Sequence, residues 1–206
     1  MSTDPSTSVT PAEEELPLII SVDDHVMEPR DLWQQQLPPS KRDRGPRTVQ
    51  EKVRLKFEGG HYGFERNDPD GHLCDVWLYD DLVTPTGFLH GPAGVPREEQ
   101  RNVAAVYEDL RPGTYSQRER LEDMELNHVS AAINYPNIFP RFCGQGFLER
   151  EDKEFALECL KIYNDWIIDD WGGGAGRGKL IPLTLVPLWD PVLAAEEVRR
   201  LSLIHI

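Results

Sequence analysis

LIISVDDHVMEPRDLW, residues 18–33, is the stretch on which the fold turns. From Leu16 the chain reads LPLIISV, a short apolar run with β-branched residues that ends in the charged string Asp23-Asp24-His25. That pattern predicts a buried strand delivering polar groups at its C-terminal end. Upstream, residues 1–16 carry Ser, Thr, Pro and four acidic side chains with scattered apolar residues, too few to offset the entropy of ordering them, and read as a disordered tail. Downstream, from about 30 to 113, Pro, Gly, Trp and charge predominate without long periodicity, as in a long insertion. Short β pieces are expected at 53–57, 61–65 and 76–78, with the first two joined in a hairpin through EGGHY, and a short helix is expected at 98–109. After Gly113 the rhythm changes. Ser116 and Glu119 form a capping box for a helix over 117–128, with Leu121, Met124 and Val129 on its buried side. VSAAINYP (129–136) is a strand, KEFALECLKIYNDWIIDDW (153–171) an amphipathic helix ended by WGGGAGRG, KLIPLTLVPLWD (179–190) a further strand, and Pro191 opens another helix. This alternation predicts parallel strands with crossovers, in a barrel or a doubly wound sheet. No GxGxxG or Walker pattern follows any strand, which argues against a nucleotide-binding sheet.

The 206 residues suffice for one domain with a sizeable core, given 39% hydrophobic content. A net charge of −14 argues against nucleic acid, which needs a basic footprint. No run approaches the roughly 18 apolar residues of a membrane span, and the N-terminus lacks a basic and an apolar leader region, so a soluble, cytoplasmic protein with no membrane partner is expected. Three cysteines without CxxC spacing give neither a disulfide framework nor a structural zinc site, and they read as buried reduced thiols.

The chemistry centres on Asp23-x-His25. Residues two apart on a strand share a side, so this carboxylate and imidazole can converge on one ion, and both are good ligands for zinc or manganese. The pair sits at the C-terminal end of the first strand of a βα series, where barrel enzymes place their chemistry. These residues, with RPGTY (111–115), RLEDMELNHVSAAINYPNIFPRFCGQ (120–145), YNDWIIDDW (163–171) and GKLIPLTLVPLWDP (178–191), resemble the amidohydrolase-related family. This is the branch of the amidohydrolase superfamily similar to aminocarboxymuconate-semialdehyde decarboxylase and gamma-resorcylate decarboxylase. The resemblance covers about residues 18–200. It implies an α/β fold, a truncated (β/α)8 TIM-type metal-dependent hydrolase barrel, here about the first three βα units with a long insertion after strand 1. It also implies that Asp23 and His25 are metal ligands, Asp23 standing in the carboxylate-x-His variant of a position where many members carry histidine.

Other expectations follow from position. Asn134 and Tyr135 end the second barrel strand, Trp189 and Asp190 end the third, and Arg141 lies in the loop after the second; strand ends and βα loops line a barrel mouth. Arg141 is a candidate for a bidentate contact with a substrate carboxylate, with a structural ion pair to the neighbouring acidic helix as the alternative. His61, His72, His90 and His128 read as surface or packing residues, and Trp33, Trp77 and Phe88 as core of the insertion. The implied activity is that of a carboxy-lyase or a hydrolase acting on a small carboxylated aromatic or ring-derived acid, with a divalent metal and with a homo-oligomer as a possible assembly. The last six residues, LSLIHI (201–206), match translation of a sequencing-library adapter, and the helix they interrupt implies truncation. The fragment is therefore expected to be inactive, with its further ligands and catalytic groups beyond it. The rival reading is a non-catalytic fragment or binding module.

Overall fold

The computed structural model describes residues 17–205, with side chains through Ser202; the expected tail at 1–16 lies outside the described residues, as does Ile206. The chain runs β1 (Ile19–Val26), α1 (Leu32–Gln36), β2 (Arg47–Glu58), β3 (His61–Arg66), β4 (His72–Tyr79), β5 (Leu82–Pro85), α2 (Gln117–Leu126), β6 (Val129–Pro136), α3 (Gln145–Leu148), α4 (Lys153–Trp166), β7 (Leu180–Pro182) and α5 (Pro191–His205). Two sheets result. β1, β6 and β7 form a parallel sheet in that order, and the insertion folds as an antiparallel sheet ordered β3-β2-β4-β5. The fold is mixed α/β.

One core joins the two sheets. Trp33 and Trp77, fully buried, meet edge to face at 5.5 Å, and Trp33 meets Phe139, from the loop after β6, at 5.0 Å. Trp33 Nε1 donates to the Cys159 carbonyl of α4 at 2.8 Å. These tryptophans therefore belong to the core of the whole molecule rather than to a separate insertion core. A charged joint lies beside it: Arg30 donates to Asp75 on β4 (2.9 and 2.5 Å) and to Glu108 (2.6 and 2.5 Å), with its guanidinium 4.6 Å from the Tyr107 ring centre.

Several expectations change on inspection. The strand expected at the start of the chain forms, but it is not buried: Ile20 and Val22, on one face of the sheet, are 63% and 62% exposed, because little among the described residues covers that face. The helix expected at 98–109 does not form. Val103–Ala105 runs extended, its backbone bonded to Thr86, Phe88 and Asp75, so pairing with the insertion sheet overrides helical propensity. The third parallel strand shrinks to Leu180–Pro182, since Pro182 and Pro187 lack the N–H that a ladder needs. The hairpin through Gly59 and Gly60 forms, with φ of +60° and +82°, a region open to glycine. Ser116 Oγ bonds the Glu119 carboxylate, and the Ser116 N–H goes to the Pro112 carbonyl at 2.9 Å, so neither reciprocal bond of the expected capping box is made. α4 is N-capped by Asp152, whose Oδ1 accepts the Phe155 N–H at 3.0 Å, and it ends in a π-helical turn, Ile167–Trp171.

Candidate active site

β1 and β6 keep parallel register, but three steps on β1 (Ser21 to Asp24) span two on β6 (Ala132 to Asn134). This bulge lies at Val22–Asp23, and bulges re-aim side chains at strand ends. At its end, Asp23 Oδ1 and His25 Nε2 approach to 3.7 Å, with side chains 86% and 50% exposed. Asp24 turns the other way, accepting from Ser21 Oγ at 2.9 Å and pairing with Arg120 at 3.4 Å. Arg120, from α2, also donates to the His25 carbonyl at 2.7 Å and the Gly113 carbonyl at 2.5 Å, and it lies over the Trp171 ring at 5.6 Å. It clamps the strand end in a single position. Burial lowers the Arg120 pKa, opposed by Asp24 and Asp123.

Two cavities meet at His25. The first, about 340 Å³, opens over the C-terminal ends of the three parallel strands between Tyr135, Phe142, Cys143, Leu185 and Leu188. The Tyr135 ring lies 5.8 Å from that of His25. The loop bounding it is strained: Arg141 (φ 58°, ψ 177°) and Cys143 (φ 54°) hold left-handed backbone that non-glycine residues rarely adopt. The second, about 530 Å³, is lined by Asp23, Asp24 and His25 with His90, Arg111 and Arg120. His90 Nδ1 accepts the Gly87 N–H at 2.8 Å, and burial holds its imidazole below the usual range.

The remaining position-based candidates fall elsewhere. Asn134 is fully buried with Oδ1 accepting Trp171 Nε1 at 3.0 Å, so it faces the helices rather than the cavity. Arg141 is exposed and pairs with Glu149 at 3.1 Å, the structural alternative. Trp189 packs against the core with Lys153 5.4 Å from its ring centre, outside both cavities. His61, His72 and His128 are exposed. All three cysteines are free; Cys74 and Cys159 are buried, whereas Cys143, expected to be buried, is exposed.

Three residues were not singled out by pattern. Arg120 and His90 reach the site through tertiary contacts with no local signature. Glu28 is different, since a carboxylate directly after apolar Val26-Met27 invites burial. It is fully buried; Oε1 accepts the Asn137 N–H at 3.2 Å, and Oε2 has no partner among the described residues. Burial pushes its pKa up to about 7, opposed by its own backbone N–H and by those of residues 137–139.

One carboxylate and one imidazole suit zinc or manganese in donor chemistry. Among the described residues no third His, Cys, Asp or Glu joins them, whereas a catalytic zinc site takes three protein ligands. The donor types fit, and the donor number falls short.

No protein-family model matches this chain, and no curated protein matches it. Among solved structures it is similar to an amidohydrolase from Mycobacterium avium subsp. paratuberculosis K-10, at a TM-score of 0.54 and 19% identity, over 90% of this chain and 46% of that one. The chain thus spans about half the length of the structure it resembles, and the likeness is one of fold.

Proposed function

We propose that this chain is the first part of a metal-dependent (β/α)8 barrel enzyme of amidohydrolase type, with Asp23 and His25 supplying two ligands of its metal centre. The observation that carries the reading is the 3.7 Å approach of these two side chains at a bulge in the C-terminal half of the first parallel strand. The amidohydrolase-like fold supports it. A divalent cation, when bound, supplies Lewis-acid stabilisation of developing negative charge. The residues of this chain bind and orient: Arg120 fixes the His25 carbonyl, and Tyr135 with the apolar walls Phe142 and Leu185 offers a face to a ring-bearing acid. The reaction class is hydrolysis or decarboxylation of a small carboxylated ring compound.

With two of three ligands, the 206-residue chain binds Mn²⁺ or Zn²⁺ weakly and turns over no substrate. Calorimetric titration tests this: Asp23→Asn and His25→Ala each abolish the weak binding with unchanged circular dichroism. Binding unaffected by either substitution overturns the assignment, and turnover by the chain overturns its inactivity. Where a chain with a full ligand set is active, release of carbon dioxide without uptake of water identifies the lyase.

A further inference from the structure

β3 is an edge of the antiparallel sheet; all six of its residues are exposed and none is proline. Glu58 and His61 flank the two-residue Gly59-Gly60 turn as a hydrogen-bonded pair. His61, Gly63 and Glu65 therefore turn their backbone groups toward β2, while Tyr62, Phe64 and Arg66 turn theirs to the open edge. The side chains sort equally cleanly. Tyr62 and Phe64 share a face with Phe57 and with buried Val53, and His61 and Glu65 share the other. Tyr62 is 75% exposed and Phe57 58%, their rings 4.7 Å apart, so an apolar face continues from the core to the hairpin tip with nothing over it among the described residues.

We infer that this edge pairs with the same edge of a second copy, antiparallel about a two-fold axis through Gly63, to make one continuous eight-stranded sheet. The outward backbone groups then meet in phase. Tyr62 and the second copy's Phe64 exchange both N–H···O=C bonds, and the symmetric pair does the same. Their rings lie opposite one another on the apolar face, and His61 lies opposite the second copy's Glu65 on the other. Sliding the register by two residues in either direction loses both His61–Glu65 contacts. Gly63, at the axis, brings no Cβ to the close, non-hydrogen-bonded pair. Charge favours this surface for self-association: in a chain of net charge −14, residues 51–66 carry four cationic side chains (Lys52, Arg54, Lys56, Arg66) against three carboxylates (Glu51, Glu58, Glu65). With Asp68 and Asp70 paired to Arg54 beside it, the patch is near neutral, so two copies meet there with little mutual repulsion.

Sedimentation velocity on the full chain over a concentration series tests the pairing. The expected result is a discrete species of twice 23.5 kDa that grows with concentration. Phe64→Lys weakens it roughly tenfold or more, with unchanged circular dichroism. A Cβ at Gly63 meets nothing within 4 Å, so Gly63→Cys is accommodated and, in a Cys143→Ser background, forms an intermolecular disulfide under mild oxidation. That variant decides the matter should Phe64→Lys misfold. A monomer at every concentration, a dimer indifferent to Phe64→Lys in folded protein, or crosslinking of the Gly63→Cys variant no faster than that of exposed Cys143 in the wild-type chain overturns the pairing.

Discussion

Glu28 carries the clearest pH signature of any single residue. Its folded pKa, about 7, stands above its ordinary 4.5, so the folded state holds a proton that the unfolded state releases between those values. The stability it contributes is fully present below about pH 4.5 and is lost as pH rises through 7, a change on the order of 3 kcal/mol. Urea denaturation at pH 5 and pH 8 checks this: Glu28→Gln shrinks the difference between the two, and an unchanged difference would place the titration elsewhere. The thiols give a second residue-scale expectation. Burial raises Cys74 and Cys159 to about 12, while Cys143 is exposed, so a disulfide reagent labels one thiol rapidly in the native chain and three after unfolding. Of the candidate site, the approach of Asp23 to His25 was legible, because residues two apart on a strand sharing a side is a local rule. Asn134 was misplaced by position alone: it lies at a strand end as expected, yet its amide bonds Trp171 from a π-helical turn that no short-range pattern announces.

At the scale of elements, the ion pairs of Arg30 join the parallel sheet's first crossover to the insertion. Asp75 is buried, and it also accepts the Tyr107 N–H at 2.8 Å and Gln50 Nε2 at 3.1 Å. Arg30→Ala leaves that carboxylate uncompensated and costs about 3–5 kcal/mol, measurable by denaturant titration; a loss below about 1 kcal/mol would mean that the remaining donors suffice. Asn164 of α4 plays the matching role on the other side. Its amide bonds both backbone groups of Leu185, at 2.7 and 2.8 Å, and the buried Glu197 of α5 at 2.8 Å. Asn164→Ala is expected to destabilise the chain by about 2–3 kcal/mol, read as a lowered Tm. Elements that satisfy themselves were legible: β6 lies where its apolar run predicts, α4 follows its amphipathic spacing, and the Gly59-Gly60 hairpin closes as read. The segment 98–109 was not, because its backbone partners on β4 and before Phe88 lie outside any sequence window.

For the whole molecule, the apolar side chains at β1 form an uncovered surface. Leu18, just before β1, and Ile20 and Val22 on it are each more than 60% exposed at the edge of the sheet, a surface expected to bind hydrophobic dyes and to invite aggregation. Ile20→Lys with Val22→Lys should cut dye fluorescence severalfold; unchanged fluorescence would point to another apolar surface. Among the described residues no helix is long and apolar enough to cross a membrane. The alternation of elements announced parallel strands but not their order, while the four-stranded insertion was visible only as scattered β pieces, because its strands are specified by one another. The hydrogen bond from Trp33 to Cys159 spans 126 residues, and it bears on how the chain is born. A ribosome delivers β1 and Trp33 first, and their partners on β6 and α4 emerge only after more than a hundred further residues. The closing contacts therefore form late, at a high entropic cost of loop closure, and the first strand waits unsheltered until β6 has emerged.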